Sequence, residues 1–156
     1  MLLQVPKLKA NVFHKFMALP RRGKWLHCNT ALWLITVKAG LHLLPFDWLR
    51  GWVVPPGKPS SGPVAIEEAR EITETIERLG RFLAPLQINC LPQALVGQKL
   101  LRHKGFNVQL KIGVLKNRDD LLAAHAWLEY QGRVILGNLR GLKQFTAFPS
   151  LEIAQQ

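Results

Sequence analysis

The chain is short of acidic residues, of cysteines and of long unbroken apolar runs, and each shortage argues against a class of protein. Its only thiols, Cys28 and Cys90, lie far apart in dissimilar contexts. A disulfide framework is therefore not expected, and a reducing compartment, the cytoplasm, is. There is no Cys-x-x-Cys, and His27-Cys28 has no second paired histidine to complete a ligand set, so no metal and no other cofactor is expected. The opening MLLQVPKLKANVFHKF contains no apolar stretch of signal-peptide length, and the mature chain is expected to begin here. The most apolar segment, residues 30–46, is interrupted by Lys38 and His42 and ended by Pro45. A lysine at mid-bilayer costs about 2.5–3.5 kcal/mol, so this segment is expected to be a buried or partner-facing helix, with Trp33, Val37, Leu41 and Leu44 along one face. Peripheral membrane contact is a lesser alternative.

What is present suits a folded globule. The chain has 156 residues, 48% of them hydrophobic, enough for one domain with a real core and too few for two. Lys and Arg number 21 against 10 Asp and Glu, for a net charge of +11, which favours acidic partners such as phosphates, anionic lipids or acidic peptides. The positive residues are spread along the chain without a concentrated basic arm. No internal repeat occurs.

The proline- and glycine-rich VVPPGKPSSGP forbids regular structure. A linker over 57–63 is expected to divide a Trp-rich helical portion, 1–56, from a core over 64–156. Within the core, Ala65, Ala69, Ile72, Ile76, Leu79 and Leu83 recur at spacings of three and four, which predicts an amphipathic helix over 64–83. Asn89 as a cap, Pro92 in the first turn and Gly105 after the end predict a second helix over 91–104. NVQLKIGVL alternates strictly, with Val108, Leu110, Ile112 and Val114 on one face, as a half-buried strand does. KNRDD reads as a turn, and AHAWLEY and RVILG form a hairpin about Gln131-Gly132. If that loop is two residues, Tyr130 faces Arg133 and His125 falls opposite Asn138. Helix, helix and then three strands indicate an α+β fold.

Cys90 sits at the start of the second helix, where unpaired N–H groups lower a thiol pKa and can stabilise an oxyanion. It is either a nucleophile there or a small buried residue. A nucleophilic thiol needs a base and an orienting third group, and His125 with Asn138 supplies such a pair. Gln87, three residues upstream, is a weak oxyanion candidate. Trp127 and Glu129 share His125's face and are expected to shape the site.

The stretch NCLPQALVGQKLLRHKGFNVQLKIGVLKNRDDLLAAHAWLEYQGRVILG resembles the transglutaminase-like leader peptidases of lasso-peptide biosynthesis, with their C-L-x-x-A-L, L-L-R-x-x-G and H-A-W-x-E patterns. LHLLPF resembles the leucine-rich helix before the peptidase core. The resemblance implies a papain/transglutaminase-like core with a catalytic helix packed on a small antiparallel sheet. It implies Cys90 as nucleophile, His125 as base, and cleavage between leader and core of a ribosomally made precursor peptide. Its implied partners are a separate leader-recognition protein acting in trans and an asparagine-synthetase-like cyclase. Members of the group often carry an Asp where this chain has Gly137 and Asn138, so the third member is Asn138, Glu129 or none. Two alternatives stay open: another acyl-transfer or inactive member of the fold, and a basic module binding nucleic acid or anionic surfaces. For the latter the chain offers no zinc-finger spacing or RRM aromatic motif.

Overall fold

The computed structural model describes residues 20–53, 66–116 and 122–148. The linker over 57–63 and the turn residues 117–120 lie outside them. Among the described residues four helices precede and cover one face of an antiparallel sheet, an α+β architecture. They are α1 (Arg21–Leu43), α2 (Phe46–Val53), α3 (Ile66–Phe82) and α4 (Cys90–His103). The sheet comprises β1 (Gln109–Lys116), β2 (Leu122–Tyr130), β3 (Arg133–Leu136) and the short β4 (Thr146–Ala147), in the order β3-β2-β1-β4.

The expected periodicities place the core. Ala69, Ile72 and Ile76 of α3 are buried together with Leu34 and Val37 of α1, Leu49 and Val53 of α2 and the inward face of the sheet, in one continuous cluster. Helix α3 carries Glu67 and Glu68 in its first turn and Arg81 in its last, matching the helix dipole at both ends. Lys104, just past α4, pairs with Glu68 at the start of α3, so these two helices run antiparallel.

Helix α4 stops by a two-bond cap. Gly105 takes a left-handed φ of 91°, its N–H bonds the Arg102 carbonyl, and the Phe106 N–H bonds the Leu101 carbonyl. A residue without Cβ accepts this conformation at little cost. Phe106 is thereby tucked into the core, edge-on to Tyr130 with ring centroids 5.4 Å apart.

Strand alternation sorts the sheet residues. Val108 and Leu110 of the β1 segment and Ala126 and Leu128 of β2 face the helices and are buried. A Cβ added to Gly97 of α4 would lie 2.7 Å from Leu136 Cδ2 and 2.8 Å from Leu128 Cδ1. The glycine lets helix and sheet approach to side-chain contact at that point. Gly97→Val is expected to overpack this seam and destabilise the chain by about 1–3 kcal/mol, offset only slightly by gains in backbone entropy. Urea unfolding followed by circular dichroism reads the shift in midpoint.

Candidate active site

The start of α4 is built by its neighbours. Asn89 occupies the capping position in extended backbone, φ −78° and ψ −169°, although its side chain makes no cap bond. Instead the Gln93 amide reaches back to donate to the Ile88 carbonyl at 3.0 Å. Gly80 of α3 makes room for Gln93, since a Cβ there would lie 2.5 Å from Nε2. Pro92 has no N–H, so the donors left free by the helix start are those of Asn89, Cys90 and Leu91. Cys90 is half-buried and packs against the edge of the core. With Ala94, Gly97 and Leu101 it forms one stripe at helical spacing, and Gly97 shows that this stripe faces the sheet.

The direction of α4 follows from the short link to β1. The helix ends beside Tyr130 through Phe106, and the start of β1 pairs with the end of β2, Gln109 with Glu129. Helix α4 therefore runs in the same sense as β2. From the Gly97–Leu128 contact, Cys90 lies seven residues back along the helix, about 10.5 Å. His125 lies three residues back along β2, about 10 Å. Both are thus carried to the same end of the sheet, Cys90 on its helix-covered face and His125 on the outer one, and no hydrogen bond joins them.

His125 leaves β2 on the outer face, with Trp127 and Glu129. Opposite it on β1 is Gly113. Trp127 fills that vacancy: a Cβ at Gly113 would sit 2.9 Å from its ring. The indole is buried, lies nearly parallel to the imidazole at 15° with centroids 6.1 Å apart, and donates its N–H to Glu129 Oε1 at 2.8 Å. Phe145, from the segment before β4, approaches the imidazole at 5.8 Å. Sequence reasoning missed Phe145 because a two-residue strand carries no periodicity.

The expected pairing of His125 with Asn138 does not form. The turn at Gln131-Gly132 does set Tyr130 against Arg133, and Glu129 meets Val134, but Leu128 then meets Leu136. Ile135 is an extra residue in β3, a bulge that shifts the register. The shift is favoured because it turns Leu136 inward, onto Gly97 and Leu128. Strand β3 ends at Leu136, and Gly137 follows with a φ of 79°. Its carbonyl lies 2.8 Å from His125 Nε2. A carbonyl only accepts, so Nε2 carries the proton and Nδ1 is the basic nitrogen of the neutral ring. Asn138 is exposed beyond this bond.

Gln87 ends a short turn of 3-10 helix over Ala84–Leu86 in left-handed backbone, φ 51°, and is exposed. Among the described residues no cluster of three or more potential metal ligands occurs.

The chain matches the family described as the Transglutaminase-like superfamily over residues 31–150. It belongs to that superfamily. Neither a curated protein nor a solved structure matches it. The superfamily's chemistry is that of cysteine proteases and acyl transfer, and the matched stretch includes both Cys90 and His125.

The support beneath the imidazole is testable by itself. Glu129→Leu leaves the buried Trp127 N–H without an acceptor and is expected to cost about 1–3 kcal/mol. Glu129→Gln, which keeps an acceptor oxygen, is expected to cost less than half as much. Thermal melts and the near-ultraviolet tryptophan signal report both.

Proposed function

We propose that this transglutaminase-like protein is a cysteine peptidase that removes the leader from a ribosomally made lasso-peptide precursor. The observation that carries the chemistry is the 2.8 Å bond from His125 Nε2 to the Gly137 carbonyl. It fixes the tautomer in which Nδ1 can take a proton. The leader-peptidase assignment rests on the resemblance of the Cys90 and His125 segments to that group.

In the proposed reaction, His125 Nδ1 takes the thiol proton and Cys90 Sγ attacks the carbonyl carbon of the last leader residue. The oxyanion is held by the free N–H groups at the start of α4, donors of a kind worth about 2.7–4 kcal/mol each. Collapse breaks the peptide bond. The imidazolium protonates the departing amine, which is the new N-terminus of the core peptide, and a leader thioester remains on Cys90. Water, deprotonated by His125, then attacks the thioester; the leader leaves as a carboxylate and the thiol is restored. A leader-recognition protein acting in trans delivers the precursor, and a cyclase consumes the freed amine. The mechanism requires Sγ and Nδ1 to meet around the end of the sheet when substrate is bound, since the two groups leave opposite faces and share no hydrogen bond in the free chain.

Cys90→Ala and His125→Ala are each expected to lower leader cleavage by at least about a thousandfold, in line with removal of a nucleophile or its base. Mass spectrometry of a cognate precursor incubated with the recognition protein gives the measurement; cleavage at the wild-type rate by either variant rejects the mechanism. A shift to amide exchange with an added amine, in place of hydrolysis, would reassign the chain to transamidation.

The orienting group has its own test. Asn138→Ala is expected to change kcat less than about threefold, because the carbonyl of Gly137 performs the task. Gly137→Ala places a side chain at positive φ and sets its Cβ 2.9 Å from the Ala126 carbonyl. It is expected to lower kcat at least about tenfold with KM little changed, as loss of imidazole positioning should. A large effect of Asn138→Ala would return the role to its side chain.

A further inference from the structure

Helix α1 has a second face that the core does not use. Gly23, Thr30, Leu34, Val37 and Gly40 are buried. On the opposite side Trp25, Cys28, Leu32, Ile35, Ala39 and Leu43 follow one another at spacings of three and four, and all are exposed. The large ones are strongly so: Trp25 68%, Leu32 64%, Ile35 46% and Leu43 80%. They form an apolar stripe about 27 Å long.

The charge on α1 and in the sequence before it has one sign. No acidic residue precedes Asp47, whereas Lys7, Lys9, Lys15, Arg21, Arg22, Lys24 and Lys38 all do. By helical spacing Arg21 lies at the head of the stripe, Lys24 and Lys38 along one flank and Arg22 along the other. A nucleic acid would satisfy the cations but give Trp25, Leu32 and Ile35 nothing to bury into. An acyl-chain boundary beneath anionic headgroups satisfies both.

We infer that α1 is a membrane-surface helix that lays its Trp25–Leu43 stripe into the interface of an anionic phospholipid bilayer. A helix with basic flanks and an apolar face containing Trp and Leu binds in the interface plane, the cations adding electrostatic attraction to anionic lipid. Among the described residues no helix is long and apolar enough to cross a membrane, which agrees with a helix lying along the surface. Binding of this kind is independent of the peptidase chemistry, and the first ten residues of α1 precede the superfamily match.

Cys28 supplies the probe, because it is exposed within the stripe, one turn from its Trp25 end. In the full chain carrying Cys90→Ala, Cys28 is the sole thiol and can be labelled with a polarity-sensitive fluorophore. Vesicles of phosphatidylcholine doped with phosphatidylglycerol are expected to shift the label to the blue and to co-sediment the unlabelled wild-type chain; phosphatidylcholine alone is not. Shrinking the Debye length from about 10 Å to about 3 Å with salt is expected to weaken association at least tenfold. The surface double variant Leu32→Glu with Ile35→Glu is expected to weaken it by a similar factor while its thermal melt stays unchanged. Absence of co-sedimentation with anionic vesicles overturns the inference, as does equal binding by the double variant, which would leave charge alone as the cause. A label already blue-shifted without lipid also overturns it. A shift that persists at every dilution would mean that residues 1–19 cover the stripe, and a shift that disappears on dilution would mean that a second copy does.

Discussion

The site depends on how closely α4 can approach the sheet, and a missing side chain sets that distance. At Gly97 the helix backbone meets Leu128 and Leu136 with no Cβ between them. The contact is the common reference from which Cys90 is measured along one element and His125 along the other. Placing a thiol and an imidazole at the same end of a molecule requires only that two lengths agree, and here seven residues of helix and three of strand are nearly equal in length. Gly80 under Gln93 and Gly113 under Trp127 do the same service for the groups that steady each partner. In each case the absence of a side chain positions another.

The imidazole is steadied without a carboxylate on its far nitrogen. A backbone carbonyl fixes the tautomer and the ring's orientation, but it stabilises the imidazolium less than a full negative charge would. Ring packing supplies the rest of the restraint: Trp127 lies along the imidazole, Glu129 holds the indole, and Phe145 limits the ring from another direction. Glu129 therefore acts on His125 through Trp127.

Much of this was legible in the sequence, for reasons particular to each element. The spacing from Ala69 to Leu83 marked α3, and Asn89, Pro92 and Gly105 bracketed α4 to within a residue. Gln131-Gly132 marked the hairpin, and HAWLE placed His125, Trp127 and Glu129 on one face. The motifs also pointed to the superfamily that covers most of the chain. The bulge was hidden because Val134, Ile135 and Leu136 are all aliphatic, so hydrophobic patterning along β3 fits either register. Only the contact with Gly97, distant in sequence, decides between them. Helix α2 merged with the apolar segment before it, and β4 is too short to have a pattern. The outward stripe of α1 was harder still, since apolar residues all round a helix do not reveal which face the core will take.

The bulge at Ile135 also bears on what kinds of change the chain can absorb. Removing one residue between Arg133 and Leu136 would give β3 a regular ladder with β2, an improvement by any local measure of strand pairing. It would also leave Leu136 opposite Leu128 and Gly137 directly after it, so the contacts beyond the bulge survive such a deletion. Sliding the intact strand back by one, with Ile135 opposite Leu128, would instead turn Leu136 out of the core and draw the Gly137 carbonyl away from the imidazole. The hairpin is thus held in register by two independent gauges, one in the core and one at the histidine, and it tolerates a change of length only where the pairs from Leu136 onward keep their partners.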